Sequence, residues 1–76
     1  MPRIQELDVR PIPPVSKHAT IFQIFDSLKS GEGLQITNDH DPVPLFYQFQ
    51  AQRPGLFDWK SVESGPVVWK ALITRV

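Results

Sequence analysis

The sequence predicts an α+β fold: a two-layer α/β sandwich in the order β-α-β-α-β-β, with a four-stranded mixed sheet and two helices on one face. Three observations carry this expectation. Two segments place apolar residues at helical spacing just after a cluster of prolines. Four shorter segments alternate apolar and polar residues, as half-buried strands do. Glycine or proline punctuates the junctions between them. Two helices cover only one side of such a sheet, so its other face is expected to meet solvent.

Ile4 to Val9 reads as the first strand, with Leu7 and Val9 on one face. Arg10 to Val15 contains Pro11, Pro13 and Pro14, which lack an N–H and restrict the residues before them, so an extended loop is expected there. Ser16 is the expected N-cap of a first helix running to about Lys29, with Ile21, Ile24, Phe25 and Leu28 as its apolar stripe. Gly31 can take the left-handed conformation that ends it. Leu34 and Ile36 alternate with Gln35 and Thr37 in a second strand, parallel to the first because a helix intervenes. Asp41 caps the second helix, with Pro42 at its first position and Pro44 still within the first turn. Leu45, Phe46 and Phe49 supply its buried face, and Pro54-Gly55 stops it.

The period then changes. Phe57 and Trp59 alternate with Asp58 and Lys60, Glu63 to Pro66 turns the chain, and Val67 to Thr74 returns as the last strand. Trp69, Ala71 and Ile73 share one of its faces, with Lys70 and Thr74 on the other. Trp59 and Trp69 are expected to pair across strands or in the core.

The 76 residues make one domain, 1–76, without cysteine, which excludes disulfides, thiolate chemistry and Cys-based zinc sites. Eight basic residues balance eight acidic ones, which argues against nucleic acid as a partner. The opening Met-Pro-Arg-Ile-Gln-Glu has no apolar run of a signal peptide, and no stretch nears the roughly 20 apolar residues that span a bilayer. A cytoplasmic protein that does not engage a membrane is expected.

Chemistry concentrates in Asn38-Asp39-His40-Asp41-Pro42. In a β-α-β unit each helix starts beyond the C-terminal end of the preceding strand, so both helix starts should open on one sheet edge. That edge would carry Arg10, Ser16, Lys17 and His18 from the first loop and Asn38, Asp39, His40 and Asp41 from the second. Helix N-termini with Arg10, Lys17 and protonated imidazole suit an anion. His18 and His40 with carboxylates suit a divalent metal such as iron or zinc. No His-x-x-x-His pair singles out the metal, and the same residues also read as a helix cap, Asp41, and turn formers, Asn38 and Asp39.

Leu7-Asp8, the proline-rich loop, the first helix, Gly31-Glu32, the second strand and the Asp41-Pro42 helix start resemble the TusA/SirA-like sulfur-carrier domains. The resemblance implies the same β-α-β-α-β-β sandwich. Those carriers hold a persulfide on the cysteine of a Cys-Pro-x-Pro motif, and in ungapped register that position is Pro14, followed by Val15, Ser16 and Lys17. Without cysteine the chain is not a persulfide carrier. More closely, Leu7 to Arg10, Lys17-His18, and Asn38 to Pro42 with Pro44, Leu45, Tyr47 and Gln48 resemble an uncharacterised bacterial subfamily of that superfamily. The resemblance implies a setting beside redox or hemerythrin-like proteins, in redox or nitrogen-oxide-related metabolism.

The leading expectation is therefore a small binding domain using the shared edge. The alternative is an interaction module docking through the open sheet face, lined by Asp58, Lys60, Val68, Lys70 and Leu72, or forming a homodimer there. Enzymatic acid–base work by a histidine beside carboxylates is the weakest option, because so small a domain has little room to enclose a pocket of ~300–1,000 Å³.

Overall fold

The computed structural model describes residues 3–76; Met1 and Pro2, part of the segment weighed above as a leader, lie outside the described residues. The elements are β1 (Ile4–Asp8), α1 (Pro14–Asp26), β2 (Gly33–Asn38), α2 (Val43–Gln52), β3 (Phe57–Ser64) and β4 (Trp69–Arg75). The predicted order β-α-β-α-β-β and the α+β class both hold. In the sheet the strands lie β1-β2-β4-β3, with β1 and β2 parallel and β4 antiparallel to both of its neighbours. No helix among the described residues is long and apolar enough to cross a membrane.

Strand alternation puts Leu7, Leu34, Ile36, Ala71, Ile73, Phe57 and Trp59 on one sheet face, where the apolar sides of both helices join them in a single core. Phe49 of α2 is the hub. Its ring stacks on Phe22 of α1 at 4.4 Å and meets Phe25 edge-on at 5.0 Å and Phe57 at 5.2 Å. Such pairs add to plain burial because ring edges and faces carry opposite partial charge. Below this hub, Arg53 just past α2 grips both Asp26 oxygens at 2.8 and 2.7 Å and lies over the Phe22 ring, tying the C-terminal ends of the helices together. The Arg53 guanidinium holds the Asp26 carboxyl below its usual range.

Several boundaries differ from expectation. Helix α1 starts at Pro14, with Pro13 and not Ser16 at the N-cap. Pro13 is extended, as a residue before proline prefers, and Pro14 fits the first helical position, where an N–H has no partner anyway. The preceding segment is not wholly extended, since Ile12 N–H donates to the Val9 carbonyl in a turn. The helix ends at Asp26 rather than Lys29; Ser27 Oγ donates to the Ile24 carbonyl at 2.6 Å and closes the last turn. Helix α2 starts one residue late, at Val43, with Pro42 at the N-cap. β1 stops at Asp8.

Glu63 and Ser64 belong to β3 and not to the turn, because a bulge at Val62 lets the strand run on to pair Ser64 with Trp69. β4 accordingly begins at Trp69 and ends at Arg75, leaving Val68 in the turn and off the open sheet face. The two tryptophans are not a cross-strand pair: Trp59 faces Ile73, and Trp69 faces Ser64 and Asn38.

Candidate functional site

β2 delivers the Asn38–Asp41 loop to the edge where α1 begins, which brings Lys17, His18, Asn38 and His40 together but not Arg10, Asp39 or Asp41. Lys17 and His18 of α1, and Asn38, His40, Pro42, Pro44 and Leu45 of the other limb, line one cavity of about 40 Å³ with Ile21 at its base. Asn38 is the one buried polar side chain among the described residues, 7% exposed. Its Oδ1 accepts the Asp39 N–H at 2.9 Å, and its amide nitrogen, which makes no bond among the described residues, is not sealed from solvent.

His40 Nδ1 donates to Asp39 Oδ1 at 2.8 Å. That hydrogen bond, then the charges of Lys17 and His40, hold the Asp39 carboxyl below the usual carboxylate range. Arg10 is close enough to feel Asp39, but its guanidinium is bound to Asp8 through Nε at 2.9 Å and a terminal nitrogen at 2.7 Å. The Arg10 backbone N–H adds a third bond to Asp8 at 3.0 Å. The bond from Arg10 lowers Asp8 to about 2. Arg10 thus borders the site while engaged elsewhere, and Asp8, overlooked as a charged neighbour in the sequence, is what engages it. The spacing Asp8-x-Arg10 ahead of a proline turn is the signal that could have shown it.

Asp41 separates from the other predicted residues. Its Oδ1 accepts the Val43 N–H at 3.1 Å, and the residue lines a different cavity, described below.

The backbone donors expected at the two helix starts are almost all spent. At α1, Pro13 and Pro14 have no N–H, and Ser16 and Lys17 both donate to the Pro13 carbonyl. At α2, Pro42 and Pro44 have none, Val43 donates to Asp41, and Leu45 and Phe46 donate to the Pro42 carbonyl. Any ligand here is therefore held by side chains: the Lys17 ammonium, the two imidazoles and the Asn38 amide.

Among the described residues no group of three or more His, Cys, Asp or Glu is arranged to hold a metal ion. His18 and His40 alone fall short of the three or four protein ligands that iron or zinc sites use, so the residues do not fit a divalent metal without outside ligands.

A family model described as "Uncharacterized conserved protein (DUF2249)" matches residues 6–75, from the middle of β1 to the last residue of β4. The chain belongs to DUF2249. The match takes in every residue of the edge just described, so the His18–His40 edge is part of the DUF2249 domain. No curated protein and no solved structure gives a significant match.

Aromatic lining is what the sequence reading missed. Two open cavities flank α2 on its β3 side, of about 390 and 270 Å³, and share Phe46 and Trp59. Phe46, expected in the core, is only half-buried because it lines both. The domain is thus roomier than its length suggests. Alternation correctly placed Trp59 and Trp69 on the inner face, but it carries no information on how far α2 covers them.

Proposed function

We propose that the protein is a small cytoplasmic binding domain that holds a small inorganic oxyanion, of nitrite or nitrate size, at the His18–His40 edge. The observation that carries this reading is the cavity that Lys17, His18, Asn38 and His40 line together. Its volume of about 40 Å³ suits one such ion, since a single water needs only about 10–15 Å³ by this measure. The ammonium, the imidazoles and the Asn38 amide are donors, and donors that reach an anion from several directions select it over chloride by shape. Asp39 carries the opposing charge, already hydrogen-bonded to His40 and within the field of Lys17, and acts as a positioning residue that orients the His40 ring.

The TusA/SirA-like superfamily placement, a bacterial origin and a redox or hemerythrin-like partner are part of the same proposal. The resemblance of Leu7 to Arg10, Lys17-His18 and the Asn38–Pro42 block supports them. Docking through the open sheet face is a second reading, supported by half-buried Leu72 and exposed Ile4 on that side. The polar Glu6, Asp58, Lys60 and Lys70 make it the lesser one.

Titration with sodium nitrite and nitrate at constant ionic strength, followed by the ring signals of His18 and His40, tests the reading. Saturable shifts are expected that strengthen on acidification, because protonated imidazoles favour an anion. They should be lost in both His18→Ala and His40→Ala. Shifts that chloride reproduces, or none at either ring, would sink the proposal.

A further inference from the structure

The 270 Å³ cavity lies on the other side of Pro42 from the histidine edge. Its roof is the start of α2, with Asp41, Pro42, Val43 and Phe46; its floor is the inner face of β3 and β4, with Trp59, Ser61, Ser64, Trp69 and Ala71. Three aromatic rings thus surround a space that α2 leaves uncovered. Trp59 is fixed by an edge-on contact with Phe46 at 5.4 Å. Trp69 is fixed by Gly65, at φ +73°, where a Cβ would lie 2.5 Å from its indole carbons. The glycine lets the indole pack closely on the hairpin turn, so the aromatic wall is built into the backbone.

The charge at this site is negative. One Asp41 oxygen accepts the Val43 N–H at the start of α2, and among the described residues the carboxylate has no basic partner. Glu63 and Lys70 also border the cavity, but as cross-strand neighbours both have their side chains on the outer face of the sheet by alternation, and their charges offset each other. Aromatic faces attract cations through the ring quadrupole, and best when the cation is bulky and weakly hydrated. A carboxylate at the rim supplies the counter-charge.

We propose that this cavity binds a small soluble alkylammonium cation, with a quaternary ammonium group against Phe46, Trp59 and Trp69 and Asp41 as its counter-ion. The site is separate from the histidine edge and does not rest on the anion reading.

Choline chloride is the probe, titrated against the intrinsic fluorescence of Trp59 and Trp69 at fixed ionic strength. A saturable change is expected, and its neutral isostere 3,3-dimethyl-1-butanol should bind about tenfold or more weakly, because only the cation draws on the ring quadrupole. Trp69→Leu should abolish binding. Asp41→Asn keeps an oxygen that can accept the Val43 N–H and should weaken binding several-fold, which separates charge from folding. His18→Ala and His40→Ala should leave it unchanged. Equal binding of the neutral isostere would reduce the cavity to an apolar groove and overturn the proposal, as would absence of saturation in a folded protein. Co-sedimentation with phosphatidylcholine vesicles, abolished by Trp69→Leu, would instead place the cation on a lipid and overturn the soluble ligand.

Discussion

Gly55 and Gly65 have the same φ of +73° but different neighbours: nothing lies within 4 Å of a Cβ at Gly55, whereas at Gly65 it meets the Trp69 indole at 2.5 Å. Alanine at either position bears the left-handed strain of about 1–2 kcal/mol. At Gly65 it also forces the indole or the turn to move, adding about 1–3 kcal/mol as overpacking does elsewhere. Gly55→Ala is therefore the internal control. A chain this size should have a total stability of about 4–11 kcal/mol, so Gly55→Ala ought to fold, and Gly65→Ala ought to fold unless the parent lies at the low end of that range. Urea unfolding followed by far-UV circular dichroism reads the difference, and a thermal scan should show Gly65→Ala melting lower by about 4–8 °C per kcal/mol. Combining Gly65→Ala with Trp69→Leu should recover the steric part, visible as a coupling energy in the double-mutant cycle. If Gly65→Ala falls within about 0.5 kcal/mol of Gly55→Ala, Trp69 is not held by the glycine, and the aromatic wall loses its structural basis.

Phe49→Leu should cost about 2 kcal/mol through lost ring contacts with Phe22, Phe25 and Phe57, measurable by the same urea titration. Asp41→Ala should cost about 1 kcal/mol through the lost bond to Val43 N–H, while Asp41→Asn stays near the parent. Because Asp8 falls from 3.8 to about 2 in the folded state, its pairing with Arg10 stabilises the fold above pH 3.8 and is lost as pH drops toward 2. Carboxyl NMR should show the low Asp8 titration returning toward 3.8 in Arg10→Gln. In His40→Ala the Asp39 titration should move upward, since the His40 hydrogen bond is the main cause of its depression.

The order of elements was legible because period, proline and glycine agree with one another along most of the chain. Helix starts were misread by one to three residues for a local reason. Ser16 and Asp41 are the better capping side chains, but the prolines beside them restrict the backbone more strongly than a side-chain cap does. Convergence of Lys17, His18, Asn38 and His40 followed from topology alone. Which of the neighbouring charges were already taken did not, because Asp8–Arg10 and Asp41–Val43 are side-chain choices that spacing leaves open. The bulge at Val62 was invisible for a similar reason: a strand that gains one residue still alternates on each side of it. It moved Glu63 and Ser64 out of the turn and gave the aromatic cavity its floor.

The sheet order β1-β2-β4-β3 gives the final strand a central position, between two strands that never touch each other. During synthesis, the parallel β1–β2 pair and the β3 segment must wait for Trp69–Arg75 before any of them shares a continuous sheet. Until then Leu34 and Ile36 lack Ile73 and Ala71 opposite them, and one edge of β2 offers its backbone to whatever extended chain is near. Completion of the sheet is thus deferred to the arrival of β4, and a chain halted after β3 would leave one edge of β2 unpaired.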